Sequence, residues 1–66
     1  MRYAVMEYSD RGVDFVRIDG VIANFSYSDA RLVAKKMCSV TGWFYSAVAI
    51  DDFNEPTMAA DGNEVI

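Results

Sequence analysis

The dipeptide Asp19-Gly20, which separates two runs of apolar and β-branched residues, constrains the fold of this chain more than any other feature. A two-residue type I′ turn needs positive φ at both central positions, and Asp-Gly is one of the few sequences that accept it. The turn predicts an antiparallel hairpin in which Ile18 pairs with Val21. The first half of the chain is therefore expected to be an antiparallel β-structure of fixed register.

That register collects apolar side chains on one face of the hairpin, while Arg17 and Asn24 point the other way. Asp14 is the exception, because it falls on the apolar face near Phe25, and we expect a bulge or a frayed end to expose it. The apolar face consists of Val16, Ile18, Val21, Ala23 and Phe25.

A helix is predicted over about residues 29–40. Ser28 can accept hydrogen bonds from the first free N–H groups, and Asp29 suits the positive end of the helix dipole. Gly42 can adopt the left-handed conformation that ends a helix. The face that packs on the sheet is expected to carry Ala30, Val33, Ala34, Met37 and Thr41, which lie at helical spacing.

Residues 43–50 form the most β-prone segment, and both of its faces are apolar. Such a strand is usually covered on both sides. Because one helix can cover only one face, we expect the face with Trp43 and Tyr45 to be covered by a partner or by a second copy. The predicted fold is α+β: one helix lies on one face of an antiparallel sheet of three to four strands, at about 2–8, 13–18, 21–26 and 43–50.

Charge divides the chain into two parts. All six Lys and Arg residues lie within the first 36 positions, whereas five of the ten acids lie in the last 16. Residues 1–50 therefore carry a net charge of +1 and residues 51–66 carry −5. We expect a single domain over 1–50 followed by an acidic, flexible tail over 51–66.

Composition excludes several classes of site. One cysteine and no histidine rule out a disulfide within the chain and a Cys/His zinc site. Without histidine, a Ser or Cys nucleophile lacks its usual base, so we predict no enzymatic activity and no cofactor. The acids Asp51, Asp52 and Glu55 do not follow the spacing of a calcium-binding loop, so no metal site is predicted.

The net charge of −4 argues against direct binding to nucleic acid, which requires a basic surface. No run is long enough to span a membrane and no export signal begins the chain. A single unpaired cysteine fits a reducing compartment. We therefore expect a cytoplasmic protein without a membrane association.

The chain is too apolar to hide all its hydrophobic residues, which make up 53% of the sequence, so an exposed interface is expected. The acidic tail would dock on a basic surface of a larger protein, or would only be a solvated tail. Trp43 could instead be part of the core. The candidate partner-binding residues are the anchors Trp43, Tyr45 and Phe53 and the acids Asp51, Asp52, Glu55, Asp61 and Glu64.

In size, charge and order of elements, residues 2–50 with the acidic tail resemble small phage-encoded inhibitor proteins, such as anti-CRISPR proteins and inhibitors of host RNA polymerase. The resemblance is architectural and carries over no site residue. It implies a protein that blocks a nucleic-acid-handling complex of the host.

Two other functions are open at this point. The first is a structural module that dimerises through residues 43–50. The second is an RNA-binding sheet that uses Tyr3, Phe15, Arg17 and Tyr45, which the net charge disfavours.

Overall fold

The computed structural model describes residues 1–50 and 55–60. Within them one helix packs with two three-stranded sheets, whose strand orders are β2-β1-β5 and β3-β4-β6. The predicted α+β class is confirmed. The elements are β1 (Tyr3–Ser9), β2 (Gly12–Phe15), β3 (Arg17–Ile18), β4 (Val21–Asn24), α1 (Tyr27–Thr41), β5 (Phe44–Ala49) and β6 (Thr57–Ala59).

The Asp-Gly hairpin forms as predicted. Ile18 pairs with Val21, and the φ angles are 53° at Asp19 and 80° at Gly20. These two positive angles are what a type I′ turn requires. The predicted register is therefore confirmed. Val16, Ala23 and Phe25 share one core cluster, against which Ile18 packs, whereas Ile22 is buried in a second cluster.

The strand predicted over 13–18 is divided at Val16 into β2 and β3. The N–H of Val16 donates to the carbonyl of Val5 in β1 (2.8 Å), and its carbonyl accepts from Ala23 in β4 (3.2 Å). One continuous run of chain therefore joins the two sheets. Asp14 belongs to β2, the part of the run that pairs with β1, and lies opposite Glu7. It is exposed, as expected, because the chain pairs with β4 only after Val16.

Helix α1 begins earlier than the sequence predicted, and its N-cap is Ser26, not Ser28. Ser26 has an extended backbone and its Oγ accepts from the N–H of Asp29 (3.3 Å). Tyr27 already belongs to the first turn, where its ring contacts that of Tyr3 at a centroid distance of 5.0 Å. The C-terminal prediction is confirmed, since Gly42 has φ 82° and donates to the carbonyl of Cys38.

The main core lies between α1 and the sheets, and a smaller cluster lies on the opposite face. Phe25 and Val33 are fully buried in the main core. In the smaller cluster Phe15 packs against three buried residues, Ala4, Ile22 and Ile50. The main core consists of Val5, Val16, Ala23, Phe25, Ala30, Val33, Ala34 and Tyr45.

The sequence predicted no strand after residue 50, but β6 pairs in parallel with β4, and Ile22 lies opposite Thr57. A three-residue strand has too few positions to show an alternating pattern, so its formation depends on the partner strand. Glu55, two residues before β6, also contacts β3, where Arg17 Nη2 lies 3.1 Å from Glu55 Oε2. Five of the candidate residues lie outside the described ranges, namely Asp51, Asp52, Phe53, Asp61 and Glu64.

Candidate protein-binding surface

Tyr45 does not lie on an exposed face, contrary to the sequence prediction. In β5 it is opposite Glu7 of β1, and Ala47 is opposite Val5. Val5 belongs to the core beneath α1, so the same register turns Tyr45 toward the helix. Only 5% of Tyr45 is exposed, which makes it a core residue rather than a contact residue.

The Tyr45 hydroxyl links three elements of the fold. It donates a hydrogen bond to the Glu7 carboxylate and lies 3.1 Å from the Thr41 hydroxyl at the end of α1. Burial raises the pKa of Tyr45 above 10.0, and the hydrogen bond to Glu7 raises the pKa further. The phenol is therefore neutral at physiological pH and serves the packing of α1 on β1 and β5.

The sheet face opposite α1 carries an exposed apolar row. Tyr8 of β1 lies between Val13 of β2 and Phe44 of β5 in the strand registers. The exposed fractions are 37% for Tyr8, 59% for Val13 and 63% for Phe44. The rings of Tyr8 and Phe44 are in contact, with centroids 5.4 Å apart.

A second row continues this surface toward the small cluster. Met6 lies between Phe15 and Ser46 in the same registers, and all three are half-buried. The six residues of the two rows include no charged side chain. We call this surface the aromatic face: Met6, Tyr8, Val13, Phe15, Phe44 and Ser46.

Trp43, the other predicted anchor, directly precedes β5 in the chain. It is 38% exposed, and its backbone N–H donates to Thr41 Oγ1 (3.1 Å). The structure therefore leaves Trp43 partly accessible and buries Tyr45, whereas the sequence predicted partial exposure of the two as a pair. It adds Phe44, which sequence reasoning assigned to the opposite side of the strand and did not single out.

One predicted charged contact residue, Glu55, lies within the described ranges. It is exposed and forms an ion pair with Arg17, which is also 3.8 Å from Asp14. An exposed pair of this kind contributes at most about 1 kcal/mol to stability. Glu55 can therefore exchange Arg17 for a cation on another molecule at small cost.

A groove of about 700 Å³ lies on the other side of β5, between that strand and α1. Helix α1 contributes Arg31 and Lys35 to its wall, together with Tyr27, whose ring is 5.7 Å from the Arg31 guanidinium carbon. Residues 44–47 of β5 form the other wall. We call it the α1–β5 groove.

Comparisons with protein-family models, with curated proteins and with solved structures found no match for this chain. The surfaces therefore have to be interpreted from their own chemistry. Helix α1 is neither long nor apolar enough to cross a membrane, and the described ranges hold no other helix. Within residues 1–50 and 55–60, no three acidic or cysteine side chains come together as a metal site.

Proposed function

We propose that this protein is a small cytoplasmic inhibitor that binds a larger protein and covers a basic, nucleic-acid-binding surface on it. The observation that carries the proposal is the aromatic face, an uncharged and exposed patch on a chain of only 66 residues. Contiguous apolar patches on small proteins usually mark interaction sites. The acidic C-terminal segment would contribute the charge.

The chemistry of the aromatic face supports docking on a protein. Tyr8 and Phe44 contact each other in its more exposed row, where large rings can bury much area while losing little side-chain entropy. Aromatic residues at the centre of an interface, surrounded by contacts that exclude water, contribute most of the binding energy in many complexes. Trp43, which is partly exposed and precedes Phe44 in the chain, would extend the contact.

The distribution of charge supports the choice of a basic partner surface. Residues 1–50 have a net charge of +1, and residues 51–66 carry −5. The middle of this segment is attached to the rest of the fold, because Glu55 pairs with Arg17 of β3 and β6 pairs with β4. Carboxylates concentrated on one segment accelerate association with a basic surface and can occupy positions that phosphates would otherwise take.

The first test combines capture with displacement. Partners captured from nuclease-treated bacterial lysate by the full chain would be purified, and release of their bound nucleic acid by the protein would be measured. Tyr8→Ser combined with Phe44→Ser should weaken both capture and release, whereas Val40→Ser, an exposed apolar residue on α1, should change neither. If the native protein, the double variant and Val40→Ser captured partners and released nucleic acid equally well, the aromatic face would be excluded as the binding surface.

The charge contribution needs a separate variant. Asp51→Asn, Asp52→Asn, Asp61→Asn and Glu64→Gln remove four charges while Glu55 keeps its bond to Arg17. We expect slower association and a weaker dependence on salt. Affinity and salt dependence that stay unchanged would contradict the electrostatic part. Truncation after residue 50 is unsuitable, because it removes β6 and uncovers β4.

A self-associating module is the second candidate, and the strand order favours it. Among the described strands β5 pairs only with β1, so it forms an edge of its sheet. An exposed edge strand can pair with a second copy. Sedimentation equilibrium distinguishes the two functions, since a tight dimer that captures no partner would support the module and contradict the inhibitor.

A further inference from the structure

We infer that the α1–β5 groove binds an extended acidic segment of a partner protein, which adds as a strand to the outer edge of β5. This site lies between α1 and the outer edge of β5, and it meets the aromatic face at Phe44 and Ser46. The inference does not depend on the proposed inhibitor function. It follows from the backbone of β5, the shape of the groove and its charge.

The outer edge of β5 presents hydrogen-bonding groups in a regular order. Val5 of β1 accepts from Val16, so its backbone groups point toward β2, and those of Met6 point toward β5. Antiparallel pairing alternates in this way along both strands. The residues of β5 whose N–H and C=O groups point outward are therefore Tyr45, Ala47 and Ala49.

The groove has the dimensions and position for one added strand. Neighbouring strands lie about 4.8 Å apart, so a peptide bonded to β5 would run directly beneath α1. The groove has a volume of about 700 Å³, which accommodates several residues of extended chain. The side chains on the helix side of such a peptide would meet Leu32 and the cations Arg31 and Lys35.

The charge of the groove selects an acidic occupant. Arg31 and Lys35 are one helical turn apart, both are exposed, and neither forms an ion pair with a described residue. None of the described residues that line the groove is acidic. Alternate side chains of an extended acidic peptide would place carboxylates beside these two cations.

The same charges disfavour a second copy as the occupant. Antiparallel pairing of two β5 edges would bring Arg31 and Lys35 of one chain close to those of the other. Juxtaposed like charges cost free energy at an interface. An acidic strand from a different protein gains the same backbone hydrogen bonds and replaces this repulsion by attraction.

The probe for the test is a synthetic seven-residue peptide of alternating glutamate and valine, blocked at both ends and carrying a fluorophore. Titration of the full chain by fluorescence anisotropy gives the affinity, and amide NMR shifts locate the site. We expect saturable binding that weakens with salt and shifts the amides of Tyr45, Ala47 and Ala49. A lysine-valine peptide should not bind.

Two comparisons make the test specific. Arg31→Glu with Lys35→Glu should weaken binding by about tenfold or more. The matched control, Arg11→Glu with Lys36→Glu, reverses two cations outside the groove and should change binding by less than about twofold. The second comparison uses a peptide N-methylated at every residue, which cannot donate a backbone hydrogen bond to β5 from either edge and should not bind.

Several results would overturn the inference. If the two double variants weakened peptide binding equally, the net charge of the protein, and not the groove, would explain the loss of affinity. Undiminished binding of the N-methylated peptide would exclude strand addition. Shifts confined to the amides of Tyr8 and Val13, which do not line the groove, would place the peptide on the aromatic face. A dimer whose formation the Arg31 and Lys35 reversals strengthen would identify the groove as a self-association surface.

Discussion

The hydroxyl of Tyr45 donates to the carboxylate of Glu7 across the β1-β5 pair, beneath the end of α1. The two residues are directly opposite in the register, so one cross-strand pair joins a core aromatic ring to a charged group at the border of the core. Thr41 completes the arrangement from the helix side. This contact fixes the position of β5 relative to α1 and therefore the width of the α1–β5 groove.

Removing the Tyr45 hydroxyl should destabilise the fold moderately. Tyr45→Phe keeps the buried ring but leaves Glu7 and Thr41 without this partner, so we expect the free energy of unfolding to fall by about 1 kcal/mol. Tyr27→Phe is the matched control, since Tyr27 is half exposed and its hydroxyl is not part of this network. Urea denaturation measures both variants, and equal midpoints would contradict the assigned role.

Alkaline pH should act through the same group. Burial, aided by the Glu7 hydrogen bond, raises the pKa of Tyr45 in the folded protein above the value of about 10 in the unfolded chain. The unfolded chain therefore releases this proton first, and stability is complete below pH of about 10 and is lost as the pH rises through the folded-state pKa. The native protein should lose stability more steeply than Tyr45→Phe above pH of about 10. If the free energies of unfolding of the two proteins fell in parallel above pH of about 10, a raised pKa of Tyr45 in the folded protein would be excluded.

Truncation of two phenylalanines should reduce the free energy of unfolding by very different amounts. Phe25 is fully buried in the main core, so Phe25→Ala should cost about 3–5 kcal/mol, enough to unfold much of a domain this small. Phe44→Ala, on the exposed row of the aromatic face, should cost less than about 1 kcal/mol. Thermal unfolding followed by circular dichroism compares them. A similar loss at both positions would mean that the aromatic face is covered within the chain.

The two serines at the start of α1 should also differ. Ser26→Ala removes the side-chain acceptor for the N–H of Asp29 and should cost about 1 kcal/mol. Ser28→Ala should change stability by less than about 0.5 kcal/mol, because Ser28 is an exposed residue within the helix. A larger effect at Ser28 would return the N-cap to the position that the sequence predicted.

Local signals in the sequence were sufficient for the turns and the helix end. Asp19-Gly20 and Gly42 adopt positive φ as their chemistry requires, and each depends on neighbouring residues alone. The helix start was misplaced because Ser26 and Ser28 are equally good caps. Contact with Tyr3, a residue far away in sequence, places Tyr27 in the first turn.

The candidate surface was harder to predict because it depends on which neighbour each strand has. Both faces of β5 are apolar, so the sequence could not decide whether Tyr45 or Phe44 would face α1. The register with β1 decides it, and β1 itself alternates between two sets that are largely apolar. Strand β6 was missed for a similar reason, since its stability comes from pairing with β4.

The parallel pairing of Thr57 with Ile22 also governs when the chain can fold during its synthesis. Strand β4 emerges from the ribosome well before β6, the strand that completes its sheet, because the helix and β5 lie between them in the chain. Closing so long a loop costs entropy that no local contact offsets beforehand. The nascent chain therefore keeps one edge of β4 open until residues 57–59 have also left the ribosome, and the β3-β4-β6 sheet can be completed only then.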